Sequence, residues 1–167
     1  MPKGDRMAKP ARKEVQVIVG EPRAKLGHVL DFMRLLWAVD HGLTKVSKRM
    51  ERTLGVTGPQ RLVIRLVGQN PGVCAGALAE TLHLHPSTLT GILKRLTDRR
   101  TIERTVDPAD GRRAQFRLTR KGEELDAVRN GTVETRVRRA LAGIADRDLA
   151  SAERVLTRIA DSLSDLS

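Results

Sequence analysis

Residues 76–119, GALAETLHLHPSTLTGILKRLTDRRTIERTVDPADGRRAQFRLT, read as a helix, a tight turn, a second helix and a basic β-hairpin. Leu78, Ala79 and Leu82 supply the apolar face of the first helix, and His83, Leu84 and His85 lead out of it. Pro86 needs no backbone N–H at the first position of a new helix, and it disfavours helical geometry at His85 before it. Leu89, Ile92, Leu93 and Leu96 then repeat at helical spacing and bury one side. The other side carries Ser87, Thr88, Thr90, Gly91 and Arg95. Beyond it, Ile102 to Val106 and Gln115 to Leu118 alternate apolar or β-branched with polar residues, across the turn-forming run Asp107-Pro108-Ala109-Asp110-Gly111. Arg112 and Arg113 fall at the hairpin tip.

The order along the second helix suits the major groove of duplex DNA. Short hydroxyl-bearing residues at its start let the backbone approach base edges, and a longer cation such as Arg95 reaches a phosphate. A solvated amphipathic helix would show the same periodicity, and Ser87 or Thr88 would then serve only the first-turn N–H groups. The hairpin separates these readings. Two guanidinium groups beside a reading helix are placed to follow the sugar-phosphate backbone or enter a narrow minor groove.

DPADGRRAQFRLTRKG (107–122) resembles the wing of MarR-type transcriptional regulators, through Asp107, Asp110, Arg112, Arg113, Leu118, Thr119 and Gly122. PSTLTGILKRL (86–96) is similar to the family's recognition helix, and Ile102-Glu103-Arg104 to the strand after it. The looser resemblance runs from about Leu26 to about Leu163. It implies a mostly α fold with a small β-wing, a winged helix-turn-helix with long dimerisation helices. The chain departs from the family where Gly91 replaces an Arg, where Arg100 replaces a Gly after the recognition helix, and where His85 replaces a stronger N-cap such as Asp. Base preference therefore does not transfer, and a different end to the recognition helix is expected.

Composition narrows the alternatives. The chain has 167 residues, 2% aromatic content and no Tyr, so its core must be built from Leu, Val, Ile and Ala, which favours packed helices. That scarcity argues against RNA-binding sheets and single-strand grooves that stack bases on aromatic rings. The net charge is +11, and it avoids residues 122–167, which sum to −2. Such a surface attracts nucleic acid through counterion release. No segment has the apolar length of a membrane span or the core of a signal peptide, so the expected location is cytoplasmic, without membrane partners. Cys74 is the only cysteine; it offers no metal cluster, and with no cation beside it in sequence it reads as a small buried residue rather than a redox switch. No cofactor-binding or catalytic spacing is present, and an enzyme is not expected.

Four parts follow along the chain: a flexible basic tail over 1–22, an N-terminal dimerisation helix over 23–55, the winged helix-turn-helix over 56–119 and C-terminal dimerisation helices over 120–167. The tail serves solubility or adds sequence-independent DNA contact. Leu62, Val63, Leu66 and Val67 make the expected buried stripe of the helix after Gly55, and residues 120–143 read as one long helix. The flanking helices carry more apolar surface than one small reader covers. Pairing with a second copy covers it and presents two reading helices to a pseudo-palindromic site; folding back over the chain's own reader is the alternative. The family resemblance further implies a small anionic or aromatic effector. Arg34, Trp37 and His41, spaced by three and four residues, offer a carboxylate partner and an apolar wall, or else a core Trp with exposed neighbours. The expected function is a ligand-responsive repressor of MarR type binding double-stranded DNA as a homodimer, with an architectural DNA-binding protein of little sequence preference as the alternative.

Overall fold

The computed structural model describes residues 27–108, 110, 111 and 113–164; the tail assigned to 1–22 and Arg112 lie outside the described residues. The chain divides into two compact units, Met1–Leu36 and Trp37–Ser167. The described part of the first is the opening of helix α1 (His28–Leu54).

In the second unit α1 ends at Gly55, whose φ of +73° only a residue without Cβ adopts at no steric cost. Thr57 then starts α2 (Gly58–Gln69) with a reciprocal cap: its hydroxyl accepts from Gln60 N, and the Gln60 side chain accepts from Thr57 N. β1 (Val73–Cys74) leads into α3 (Ala75–Leu82), α4 (Pro86–Asp98), β2 (Ile102–Val106) and β3 (Ala114–Leu118). The three strands form one antiparallel sheet in the order β1-β3-β2, with Arg104 opposite Phe116 and Val73 opposite Phe116 on its other side. The expected hairpin is therefore the outer part of a three-stranded sheet; a strand of two residues has too little alternation to be read from sequence.

Val63, Ile64 and Val67 of α2, Leu78 of α3, Leu89, Ile92, Leu93 and Leu96 of α4, Ile102 and Phe116 share one core. The sequence reading of α4 is met at every apolar position. That of α2 is rotated: Leu62 is 51% exposed, whereas Ile64 and even Arg61 are buried. α2 packs on α4, α5 and the sheet together, so its buried face is wider than one stripe, and a cation enters it where carbonyl groups await a donor.

The segment 120–143 is not one helix. α5 (Arg120–Ala127) stops at Val128, and α6 (Val133–Leu141) restarts behind Gly131, with φ +76°, and the N-cap Thr132. Helical spacing of Leu125, Val128, Thr132 and Val137 survives across the break by coincidence of length. Asn130-Gly131 is the turn signal that outweighs it. α7 (Asp146–Ser164) follows, with Asp146 and Asp148 in its first turn as expected from the macrodipole.

The recognition helix also ends differently from expectation. Arg100, although not Gly, takes the left-handed conformation at φ +53°. Arg100 N donates to Thr97 O at 2.8 Å and Thr101 N to Leu96 O at 2.9 Å, so the usual pair of C-terminal hydrogen bonds forms and absorbs a local strain of about 1–2 kcal/mol.

Candidate nucleic-acid interface

α3 and α4 are joined by His83-Leu84-His85. His83, at φ +48°, ends α3 in the left-handed region, and Leu84 N donates to Ala79 O. His85 caps α4 with its ring: Nδ1 accepts from Ser87 N at 3.3 Å and lies 2.7 Å from Ser87 Oγ. An imidazole nitrogen here does what an Asp carboxylate oxygen does elsewhere, so the departure at His85 leaves the helix start capped.

Ser87, Thr88, Thr90 and Arg95 are exposed on α4, and Gly91 is half-buried. Their hydroxyls differ in availability. Ser87 faces His85, and Thr90 Oγ1 donates to Pro86 O at 2.8 Å, whereas Thr88 carries no such tie among the described residues. A Cβ added at Gly91 would meet nothing within 4 Å. The fold does not require glycine there, so the missing Arg alters the reading surface and not the packing.

At the wing, Asp107 N donates to Arg113 O and Arg113 N to Asp110 O, both at 2.9 Å, which closes the turn. The Arg113 side chain turns back from the tip toward β1. Its Nη2 donates to Cys74 Sγ at 3.2 Å, across 39 positions of sequence. The Ala77 backbone N–H first, and this guanidinium second, hold the Cys74 thiol below its usual pKa against the opposing effect of burial. The expectation of a buried cysteine without a neighbouring cation is thus corrected: Cys74 is half-buried, and the wing supplies the cation.

A groove of about 640 Å³ runs between α4, β1 and the wing, and Thr90, Lys94, Thr97, Arg104 and Arg113 line it. Three cations converge there beside the hydroxyl-bearing face. Lys94 also pairs with Asp98 at 2.8 Å, an exposed bridge one turn apart that water screens. Arg104 was not singled out as a site residue from sequence; its alternation in β2, opposite the inward Phe116, was the available signal.

Arg34, Trp37 and His41 are exposed on α1. Arg34 Nε lies 3.9 Å from Asp31 Oδ1, and Trp37 is 65% exposed. A separate cleft of about 740 Å³ opens between α1, α2 and α6; its wall holds Leu43, Leu62, Leu84 and Val137, with Lys48 and Arg65 as cations. Among the described residues no group of His, Cys, Asp and Glu could hold a metal ion, and no helix is long and apolar enough to cross a membrane.

A turn-linked helix pair, an exposed small-residue reading face and a wing bordered by cations define a DNA-binding transcriptional regulator of the winged helix-turn-helix class. The model of the MarR family matches residues 54–113. The chain is 30% identical over 106 residues to an HTH-type transcriptional repressor of Mycobacterium tuberculosis, covering 64% of this chain and 76% of that protein. It belongs to the MarR family, and its relatives are transcriptional regulators and not enzymes. Its fold is similar to that of S. aureus MepR solved with DNA, at TM-score 0.66 and 19% identity over 79% of this chain and 97% of that one. It is also similar to PcaV of Streptomyces coelicolor, solved with its natural ligand, at TM-score 0.63 and 25% identity over 81% and 94% of the two chains.

Proposed function

We propose that this regulator is a sequence-specific repressor that binds a pseudo-palindromic operator as a homodimer and is released by a small anionic or aromatic ligand. The observation that carries the reading is the exposed start of α4, where Ser87, Thr88 and Thr90 stand beside the groove holding Lys94, Arg104 and Arg113. Thr88, with its free hydroxyl and methyl, is the foremost base-reading residue; Arg95, Arg112 and Arg113 serve phosphates or the minor groove. The repressor relative and the DNA-bound MepR structure support the same assignment.

Exposed apolar side chains support the dimer. Trp37, Val39 and Leu43 of α1, Val137 and Leu141 of α6, and Val155, Leu156 and Leu163 of α7 all stand in water in the single chain. Already partly covered, each would contribute about 1 kcal/mol on full burial, which a second copy of the same helices supplies. The effector's place is the cleft between α1, α2 and α6, whose apolar walls suit an aromatic ring and whose charged rim mixes Lys48 and Arg65 with Asp40, Glu51 and Glu134. The reading of Arg34 as a carboxylate partner, with Trp37 as the apolar wall beside His41, remains the alternative for it. Binding would act by shifting the population of DNA-competent spacings between the two readers. A cytoplasmic location belongs to the same proposal.

Fluorescence anisotropy with a palindromic fragment from the gene's own upstream region, titrated against salt and random competitor duplex, tests the DNA reading. Arg113→Ala is expected to weaken binding to all duplexes alike and to lower the salt slope by about one. Thr88→Ala is expected to change the ranking of base-pair variants, by roughly 1 kcal/mol at one position in each half-site. Equal affinity for the palindrome and random duplex would leave an architectural DNA-binding protein in its place. Light scattering at micromolar concentration checks the assembly: a dimer mass is expected, and a monomer mass refutes it.

A further inference from the structure

Arg61 is the largest side chain fully inside this protein, 2% exposed, and it lies on α2 among the apolar residues that hold the reading helix. Its guanidinium faces away from that core, toward the break between α5 and α6. Nη1 donates to Leu125 O, and Nη2 to Asp126 O at 3.3 Å and to Val128 O at 2.8 Å. These are carbonyls at the end of α5, where the intrahelical pattern runs out; Val128 N also donates to Leu125 O at 3.2 Å, and Arg129 Nη1 to the other two. The same guanidinium reaches forward as well: Nε and Nη2 both donate to Glu134 Oε1, at 2.9 and 2.7 Å, in the first turn of α6. One planar cation thus ties three elements together across 64 to 73 positions of sequence.

We infer that Arg61 and Glu134 form a latch that fixes the direction in which α6 leaves the DNA-reading unit, and so sets the distance between the two readers of a dimer. This rests on the dimeric reading above for its consequence, but not for its existence. α2 and α4 share one core, so Arg61 moves with the reading helix. The connector that it grips contains Gly131 in the left-handed region and the fully buried Thr132, and its own hydrogen bonds are local: Thr135 Oγ1 donates to Arg129 O, and Arg136 N to Thr132 O at 3.3 Å. Without the carboxylate the connector keeps its turn and loses its fixed angle. Burial by itself would raise the pKa of Glu134, but Arg61, the Glu134 backbone N–H and the Thr132 hydroxyl outweigh it and hold the group below the usual carboxylate range, so it stays ionised at neutral pH. Arg61 and Glu134 also line the cleft between α1, α2 and α6, so an occupant pressing on Val133 or Val137 bears on the latch directly.

Glu134→Ala is the informative variant, because Arg61 keeps its three carbonyl acceptors and the reader keeps its core; Glu134→Gln is the conservative control that retains an acceptor oxygen. Hydrogen exchange on the free, full-length protein reads the latch without reference to DNA. Amides of 128–136 are expected to exchange about tenfold faster in Glu134→Ala and by a smaller factor in Glu134→Gln, with α2 and α4 unchanged. Unchanged exchange at 128–136, or a rise shared equally by α2 and α4, overturns the inference. The second measurement is affinity for operators whose half-sites are moved one or two base pairs apart or together. Glu134→Ala is expected to flatten the wild-type preference severalfold while each half-site is still bound, and an unaltered spacing profile with a loosened connector refutes the positioning role. A wild-type protein with no spacing preference would count against the dimeric operator reading alone, since the exchange result stands apart from it.

Discussion

Gly122→Ala is expected to destabilise the protein by roughly 3–5 kcal/mol, the upper end of what overpacking produces and a large part of the stability of a domain this size. A Cβ at this position would stand 2.1 Å from Thr101 O, inside any possible contact, and 3.2 Å from Leu118 Cβ. The obstacle is backbone that has nowhere to go. Thr101 O already accepts from Thr119 N and from Thr119 Oγ1, both at 3.1 Å, and Thr101 itself is 1% exposed. Relief would require α5 to lift from the sheet, which breaks the cap in which Thr119 Oγ1 accepts from Gly122 N at 3.2 Å. Urea denaturation measures the effect, and Gly91→Ala is the control. That glycine sits in α4 with nothing within 4 Å of its added Cβ, so the same substitution is expected to stabilise by about 0.5–1 kcal/mol. A Gly122→Ala midpoint within error of the wild type would mean that α5 does not pack against Thr101 and Leu118 as described.

Arg61→Ala is expected to cost about 3 kcal/mol: Arg61 is fully enclosed, and Glu134, about a third exposed, recovers part of the broken pair from water. The carbonyls of Leu125, Asp126 and Val128 lose a charged donor together, although Val128 N still serves the first and Arg129 the other two, and the volume of a fully enclosed side chain empties. Arg61→Met separates the two contributions, since it refills most of the volume and supplies no donor; its loss is expected to be smaller yet still large. The acid limb offers a second check. Glu134 binds a proton less readily in the folded chain than in the unfolded one. Its contribution is therefore present above the unfolded carboxylate pKa of about 4.3, and is lost as pH falls through the lower folded value. Arg61→Met removes the largest cause of the depression and leaves the Glu134 backbone N–H and the Thr132 hydroxyl, so its stability should vary less with pH across that acid window than the wild type does. Parallel pH profiles would show that Glu134 does not depend on Arg61.

Both large effects arise at places that sequence patterns describe only partly. Gly122 was legible as part of the wing's resemblance to the family, but that resemblance names a residue type and gives no contact. Arg61 lies outside the apolar stripe of Leu62, Val63, Leu66 and Val67 expected on α2, with nothing nearby in sequence to mark it as enclosed. Cys74 and Arg113 show the same limit. Each was noticed, and neither pointed to the other.

What the chain states locally, it states well. Pro86 and the spacing of Leu89, Ile92, Leu93 and Leu96 determined where α4 begins and which side of it is buried, because a helix of fixed period turns linear order directly into faces. Alternation and turn residues likewise determined the wing. Other features depended on how finished elements dock: the inward turn of Arg61, the return of Arg113 onto β1 and the left-handed Arg100. A buried cation or a strained residue is stable only when distant groups supply its partners, and those groups meet only once the whole unit has packed.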